Sequence, residues 1–443
     1  MLGKIAVISL GCSKNQVDSE IMSGILGKEH LLIDEPGDAD VIVVNTCTFI
    51  ETAKEESINT ILEMARFKEM GSCRVLLATG CLAQRYGEEL MLEIPELDGV
   101  MGTGNLDKIA ELLEKTRAQR TILIELGSPE FLYDETMPRK RLTPKHYAYV
   151  KVAEGCDNYC TYCVIPHVRG HFRSRPEESI VREVQNMASQ GVKEILLIAQ
   201  DTTRYGLDLY GELRLPKLIR SLAGIEGIEW IRLMYCYPDM FTEELIETMR
   251  QERKVCRYLD LPLQHADPKV LIEMNRRGTI EEAEQLITRL RQVMPDIIIR
   301  TTMITGFPGE TEQEFENLLD FVKRVKFERL GVFAYSQEEG TPASQRTDQV
   351  QENIKEKRRD QLMLLQQDIA KKCQQQLIGQ TLTVILEQKL PDDRWLGRTE
   401  ADAPEIDGQI YVNVYNKVVS VGEMVQVYIQ EADSYDLLGE VVS

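Results

Sequence analysis

Residues 147–166 read YAYVKVAEGCDNYCTYCVIP, and the fold is decided here. The first part, Tyr147–Val152, has the character of a β-strand. The second places Cys156, Cys160 and Cys163 on one short loop in the spacing C-x3-C-x2-C. Thiolates are soft ligands suited to iron–sulfur clusters. Three on one loop hold three irons of a cubane and leave the fourth open to a chelating molecule. The competing reading is a structural zinc knuckle, which needs a fourth Cys or His. His167 and His171 stand near enough in sequence to keep it open.

Downstream, Glu194–Ala199, Trp230–Met234, Tyr258–Leu261, Ile297–Thr301 and Arg329–Phe333 are strand candidates. Amphipathic helices lie between them, for example Glu177–Gln190, Glu243–Arg250, Ile280–Val293 and Glu312–Val325. Repeated βα units over ~200 residues predict a full or partial parallel barrel, with chemistry at the carboxyl ends of its strands. Glu352–Gln375 reads as a long charged helix that connects to a different pattern. Leu382–Leu386, Gln409–Val414, Met424–Gln430 and Leu437–Val442 are short, alternating and β-branched. They predict a small all-β barrel of the OB kind.

Upstream, Pro129–Pro144 is poorly periodic, with three prolines and a basic cluster at Arg139, Lys140 and Arg141. It reads as a linker. Before it, strands Ile5–Leu10, Val41–Asn45 and Val75–Thr79 alternate with helices Asn15–Leu26, Glu51–Phe67 and Gln84–Leu92, which predicts a doubly wound parallel sheet. The expected domains are therefore 1–140, 141–374 and 375–443. Cys12, Cys47 and Cys81 each follow a predicted strand by one to three residues. Carboxyl ends of parallel strands line one edge, where ligands bind. Gly11 and Gly80 let the chain turn closely around a bulky group. The three thiols are thus expected to converge on a second cluster; the alternative is three small buried hydrophobes. Cys73, Cys236, Cys256 and Cys373 share no context and read as structural.

Ten cysteines in a chain with no leader pattern at MLGKIAVISLGC and no run of ~20 apolar residues point to metal chemistry in the cytoplasm, not to disulfides or a membrane. The formal net charge of −20 is a poor match to nucleic acid and suits a basic protein. Between residues 376 and 443 four basic residues (Lys389, Arg394, Arg398, Lys417) stand against twelve acidic ones.

With both triplets in hand, the chain resembles the methylthiotransferase family of radical S-adenosylmethionine (SAM) enzymes. The C-x3-C-x2-C spacing is the radical-SAM signature, and Tyr162 supplies the aromatic residue before the last cysteine. The resemblance spans the whole chain. It implies an amino-terminal methylthiotransferase domain, a partial (β/α) radical-SAM barrel and a carboxyl-terminal TRAM domain. It implies two 4Fe–4S clusters, an auxiliary one on Cys12, Cys47 and Cys81 and a SAM-cleaving one on Cys156, Cys160 and Cys163. SLGCSKNQVDSE (9–20), NTCTFIETAKEES (45–57) and CVIPHVRGHFRSR (163–175) are similar to the branch that modifies an aspartate in the twelfth protein of the small ribosomal subunit. The tRNA-modifying branches read closer to GCQMN at the first cysteine and carry a basic residue soon after the second, where this chain has Thr48-Phe49-Ile50-Glu51. The expected partners are a basic ribosomal protein and an electron donor, with no membrane and no direct nucleic-acid substrate. The same chemistry on a tRNA adenosine is the alternative. A non-catalytic iron–sulfur carrier is a third reading.

Gln200-Asp201-Thr202, Leu261–His265 and Thr305–Glu310 follow predicted strands. The resemblance implies that such segments line the SAM pocket, with Tyr162, Gln200, Thr305, Gly306 and Gly309 as the cofactor-binding residues. His265 reads equally as a proton carrier or a pocket wall. Arg169, Arg173 and Arg175 read as contacts to SAM or substrate, or as a solvated basic face. No catalytic side chain is assigned.

Overall fold

The computed structural model describes residues 3–119, 123–415 and 417–442. Six strands build the first domain: β1 (Lys4–Ser9), β2 (Leu31–Leu32), β3 (Val41–Thr46), β4 (Val75–Gly80), β5 (Gly99–Met101) and β6 (Leu123–Glu125). They pair in parallel in the order β2-β1-β3-β4-β5-β6. β3 and β4 are buried at every position, as central strands covered on both faces must be. β1, β3 and β4 are the strands the pattern predicts. β2, β5 and β6 have two or three residues each, too few to carry a period.

The second domain contains β7 (Tyr147–Lys151), β8 (Ala153–Glu154), β9 (Arg173–Ser174), β10 (Glu194–Ile198), β11 (Trp230–Leu233), β12 (Val255–Asp260), β13 (Ile298–Thr305) and β14 (Arg329–Ala334). β7 and β10 to β14 form one parallel sheet in the order β14-β13-β12-β11-β10-β7. It is the partial barrel. β8 and β9 pair as a small antiparallel ribbon, and the cysteine loop is the excursion between them. The third domain is a closed barrel of β15 (Thr381–Lys389), β16 (Trp395–Thr399), β17 (Ile410–Asn413), β18 (Met424–Ala432) and β19 (Leu437–Val441). β16 was not expected from the pattern.

The three domains share a core. Val17 and Ile21, one turn apart on the helix Ser13–Leu26, pack inside the partial barrel on Tyr147, Tyr149, Leu196 and Ile198, and Ile385 and Ala403 of the closed barrel join them. The closed barrel meets the amino ends of the strands. Glu194, the first residue of β10, pairs with Arg398 at 2.5 Å, and Arg329, the first of β14, with Asp402 at 2.6 Å. Two expected connectors are packed elements. In the segment 129–144, Arg139 pairs with Glu20 at 2.5 Å and Glu183 at 2.7 Å, so the strap is pinned to both neighbouring domains. The helix Glu352–Gln375 contributes Leu362 and Ile369 to the barrel's outer core, and its Arg358 pairs with Glu310 at 2.8 Å. Among the described residues no helix is long and apolar enough to cross a membrane.

Candidate metal centres

Cys12 caps the helix Ser13–Leu26, Cys81 begins the helix Cys81–Glu93, and Cys47 follows β3. Because β1, β3 and β4 are consecutive in the sheet, the three thiols reach one edge. The approach is close: a Cβ on Gly11, whose φ is +83°, would lie 2.8 Å from Cys47 Sγ. Gly80, at φ +93°, has no room for one against Asn45 and Thr46. Burial pushes the Cys47 thiol up to about 12, and the neighbouring Cys12 and Cys81 add to the rise. Burial raises Cys81 to about 11 against the opposing pull of Arg169. Two of the three cysteines sit at helix amino termini.

The central loop is fastened on both sides. Cys156 N donates to Gly170 O at 3.1 Å and Thr161 N to Met274 O at 3.0 Å. Asn275 Nδ2 donates to Tyr159 O at 2.9 Å, holding Tyr159 at φ +49°. Arg276 Nη1 lies 3.8 Å from Cys160 Sγ while its Nη2 donates to Pro262 O at 2.6 Å. Burial raises Cys156 to about 11, with Cys160 adding to it, and raises Cys163 further. The zinc alternative finds no fourth ligand. His167 is exposed, and His171 is turned to Asp157 at 2.9 Å. Among the described residues no three His, Cys, Asp or Glu side chains are grouped around a single ion. A cubane suits such spread donors, because its thiolates bind separate irons.

A buried polar network joins the two edges. Arg169 Nε donates to Cys81 Sγ at 3.3 Å, and its other nitrogens reach Asn15 Oδ1, Asp18 at 2.6 Å and Glu154 at 3.4 Å. Lys151 bridges Asp18 and Glu154, each at 2.5 Å. Gln200 Nε2 donates to Glu154 Oε1 at 2.6 Å, and its Oε1 is buried without a partner. That orphaned acceptor, beside the cysteine loop, fits a bound molecule with a donor to offer.

The other expected pocket residues differ in what they touch. Tyr162 is half-buried beside Phe307, Ile304 and Met274. Thr305 Oγ1 donates to Lys355 O at 3.1 Å, Gly306 packs on Lys355, and Gly309 packs on Arg346 and Asp348. These three are turned to the helix Glu352–Gln375 and the segment before it. His265 is fully buried, with Nδ1 accepting from Asp267 N at 3.0 Å and Nε2 3.3 Å from Glu310. Arg169 and Arg175 are buried, and Arg173 is bound to backbone carbonyls at Pro129 and Arg169, so the solvated basic face is absent. Sequence reasoning missed Asn15, Glu154 and Arg276. Asn15 and Glu154 stand within three residues of Cys12 and Cys156; Arg276 has no local signal.

The radical SAM superfamily matches residues 150–322, the uncharacterized protein family UPF0004 residues 4–102 and the TRAM domain residues 378–442. The chain is similar to the ribosomal protein uS12 methylthiotransferase RimO of Desulfitobacterium hafniense (strain Y51), at 66% identity over 439 residues covering 99% of this chain and 98% of the relative. It is 52% identical over 441 residues to RimO of Heliobacterium modesticaldum (strain ATCC 51547 / Ice1), covering 99% and 95%. Among solved structures it is similar to the radical S-adenosylmethionine methyltransferase TsrM of Kitasatospora setae with cobalamin and a 4Fe–4S cluster bound. The TM-score is 0.57 at 15% identity over 77% of each chain, a likeness of fold.

Proposed function

Because this chain belongs to the RimO family of ribosomal protein uS12 methylthiotransferases, we propose that it replaces a hydrogen on the β-carbon of an aspartate in uS12 with a methylthio group. It is a radical SAM methylthiotransferase, and its family implies a 4Fe–4S cluster and SAM. The second cluster, on Cys12, Cys47 and Cys81, is part of the proposal. When bound, the central cluster supplies the electron that cleaves SAM to a hydrogen-abstracting radical, and the auxiliary one supplies the place from which methylated sulfur is delivered.

The observation that carries the reading is Arg169, which reaches from Cys81 of the first triplet to Glu154, two residues before Cys156. Gln200 and Tyr162 line the SAM side, while Thr305, Gly306 and Gly309 shape its wall through their packing on Lys355 and Arg346. Cys47 and Cys81 are buried and Cys156, Cys160 and Cys163 half-buried, which limits water around reactive species. The work takes place in the cytoplasm, with uS12 and an electron donor as partners and no direct nucleic-acid substrate.

Anaerobic reconstitution is expected to give about eight irons per chain, two cubanes' worth. Cys160→Ala is expected to abolish SAM cleavage and keep about half of them. The mass of uS12 from a deletion strain should fall by one methylthio group. Loss of methylthio from digested tRNA, with uS12 unchanged, would overturn the assignment in favour of the tRNA adenosine. Cluster binding without deoxyadenosine formation would leave only a carrier.

A further inference from the structure

Lys14 lies two residues after Cys12, in the first turn of the helix Ser13–Leu26, and is 94% buried, with a relative exposure of 6%. Its ammonium stands 2.8 Å from the centroid of the Tyr235 ring. Among the described residues it forms no ion pair and no hydrogen bond. Every other buried lysine or arginine among them pairs with a carboxylate. An aromatic face stabilises a cation but does not replace a counterion. The neighbouring carboxylates are engaged elsewhere. Asp18 is held by Lys151 and Arg169, and Asp260 by Arg300 at 3.1 Å and by the Tyr235 backbone N at 3.0 Å.

Tyr235 is itself constrained. It follows β11 by two residues at φ +57°, a region that non-glycine residues seldom occupy. Its carbonyl accepts from Thr202 N at 3.0 Å, and its hydroxyl lies 3.4 Å from Ser13 Oγ. The strained backbone turns the ring onto Lys14, at the junction of the first-domain cysteine edge and the carboxyl ends of the barrel strands. Cys12, beside it, is exposed.

We propose that Lys14 receives the side-chain carboxylate of the target aspartate, with Tyr235 holding the ammonium in position. This rests on the uS12 reading above. The carboxylate is bonded directly to the β-carbon, so fixing it fixes the reacting carbon to within one bond. A uracil, an adenine or an asparagine offers no such anion. SAM carries a carboxylate too, and the two sources are separable.

The test uses reconstituted holoenzyme, labelled uS12, and labelled uS12 with the target aspartate replaced by asparagine. Wild type is expected to bind the aspartate form about 10- to 100-fold more tightly, the range for a hydrogen bond to a charged group. Lys14→Gln should bind both forms alike, and Lys14→Arg should keep part of the difference. SAM dissociation constants are measured alongside. The idea is overturned if wild type does not discriminate, if Lys14→Gln keeps the wild-type ratio, or if the loss falls on SAM alone. A wild type that neither binds nor modifies uS12 sinks the functional reading and this inference with it. A wild type that modifies uS12 with the ratio unmoved by Lys14→Gln sinks only the inference.

Discussion

Arg169, buried between the first domain and the partial barrel, makes four polar contacts. One guanidinium meets Cys81, Asn15, Asp18 and Glu154. Removing it leaves Asp18 and Glu154 to share Lys151 alone. Loss of one partner from a buried charge network costs about 3–5 kcal/mol, so Arg169→Gln should lower the unfolding free energy of the full chain by that order, read from denaturant melts. Potentials of iron–sulfur centres follow charge and hydrogen bonds to sulfur. In a chain with Cys156, Cys160 and Cys163 replaced by Ala, Arg169→Gln should therefore shift the auxiliary midpoint potential negative, and Arg169→Lys less so. An unmoved potential in an EPR-monitored titration would show that Arg169 is only structural. The motif CVIPHVRGHFRSR placed Arg169 near the site, yet sequence alone left it between ligand contact and solvated face. What decides is burial, 2% exposed, and that depends on a helix 150 residues earlier in the chain.

The turns after β1 and β4 show how much of the site belongs to elements. The order of β1, β3 and β4 was legible because each six-residue strand carries a run of four apolar residues, and parallel neighbours then bring their carboxyl ends together by topology. The turn geometry was legible only as a glycine next to a cysteine. Gly80 is at φ +93°, and a Cβ there would overlap Asn45 Oδ1 and the Thr46 carbonyl. Gly191 is at φ +90° with nothing within 4 Å. Replacement by Ala costs about 1–3 kcal/mol of backbone strain at either position. Only Gly80→Ala should also displace Cys81. Iron per chain is expected to fall toward half in Gly80→Ala and to stay full in Gly191→Ala. Equal iron in both would mean that the turn does not position the thiol. The short strands β2, β5 and β6 were not legible, since two or three residues paired to a neighbour carry no period of their own, and β16, WLGRT, has Gly and Arg in place of β-branched alternation.

At the scale of the whole molecule, the acidic carboxyl-terminal segment has a second use that its composition concealed. Glu387, Glu400, Asp402, Glu405 and Asp407 face the partial barrel, meeting His146 and Arg398, the Arg257 backbone, Arg329, Tyr147, and Tyr258 with Arg300. Seven carboxylates and three cations (Lys389, Arg394, Lys417) remain for the outside. The surface stays acidic, but much of the charge that suggested a basic partner is glue between domains. Net charge cannot distinguish these uses, because it is blind to which side of a strand a residue faces. The centre of that glue is Glu194, fully buried between Arg398 at 2.5 Å and Arg232 at 2.7 Å. Burial works against its charge, yet the two guanidinium groups hold its carboxyl down at about 2. An unfolded glutamate titrates near about 4.3. The depressed value means that the contribution is complete above about 4.3 and is lost as pH falls toward about 2, roughly 3 kcal/mol in all. Denaturation of the iron-free chain at pH 7 and at pH 3 should show the wild type losing more stability than Glu194→Gln. At pH 7 the variant should already be weaker, because Arg232 and Arg398 are left facing a neutral amide in a dry interface. If both chains lose the same stability on acidification, the docking of the closed barrel does not depend on the Glu194 charge.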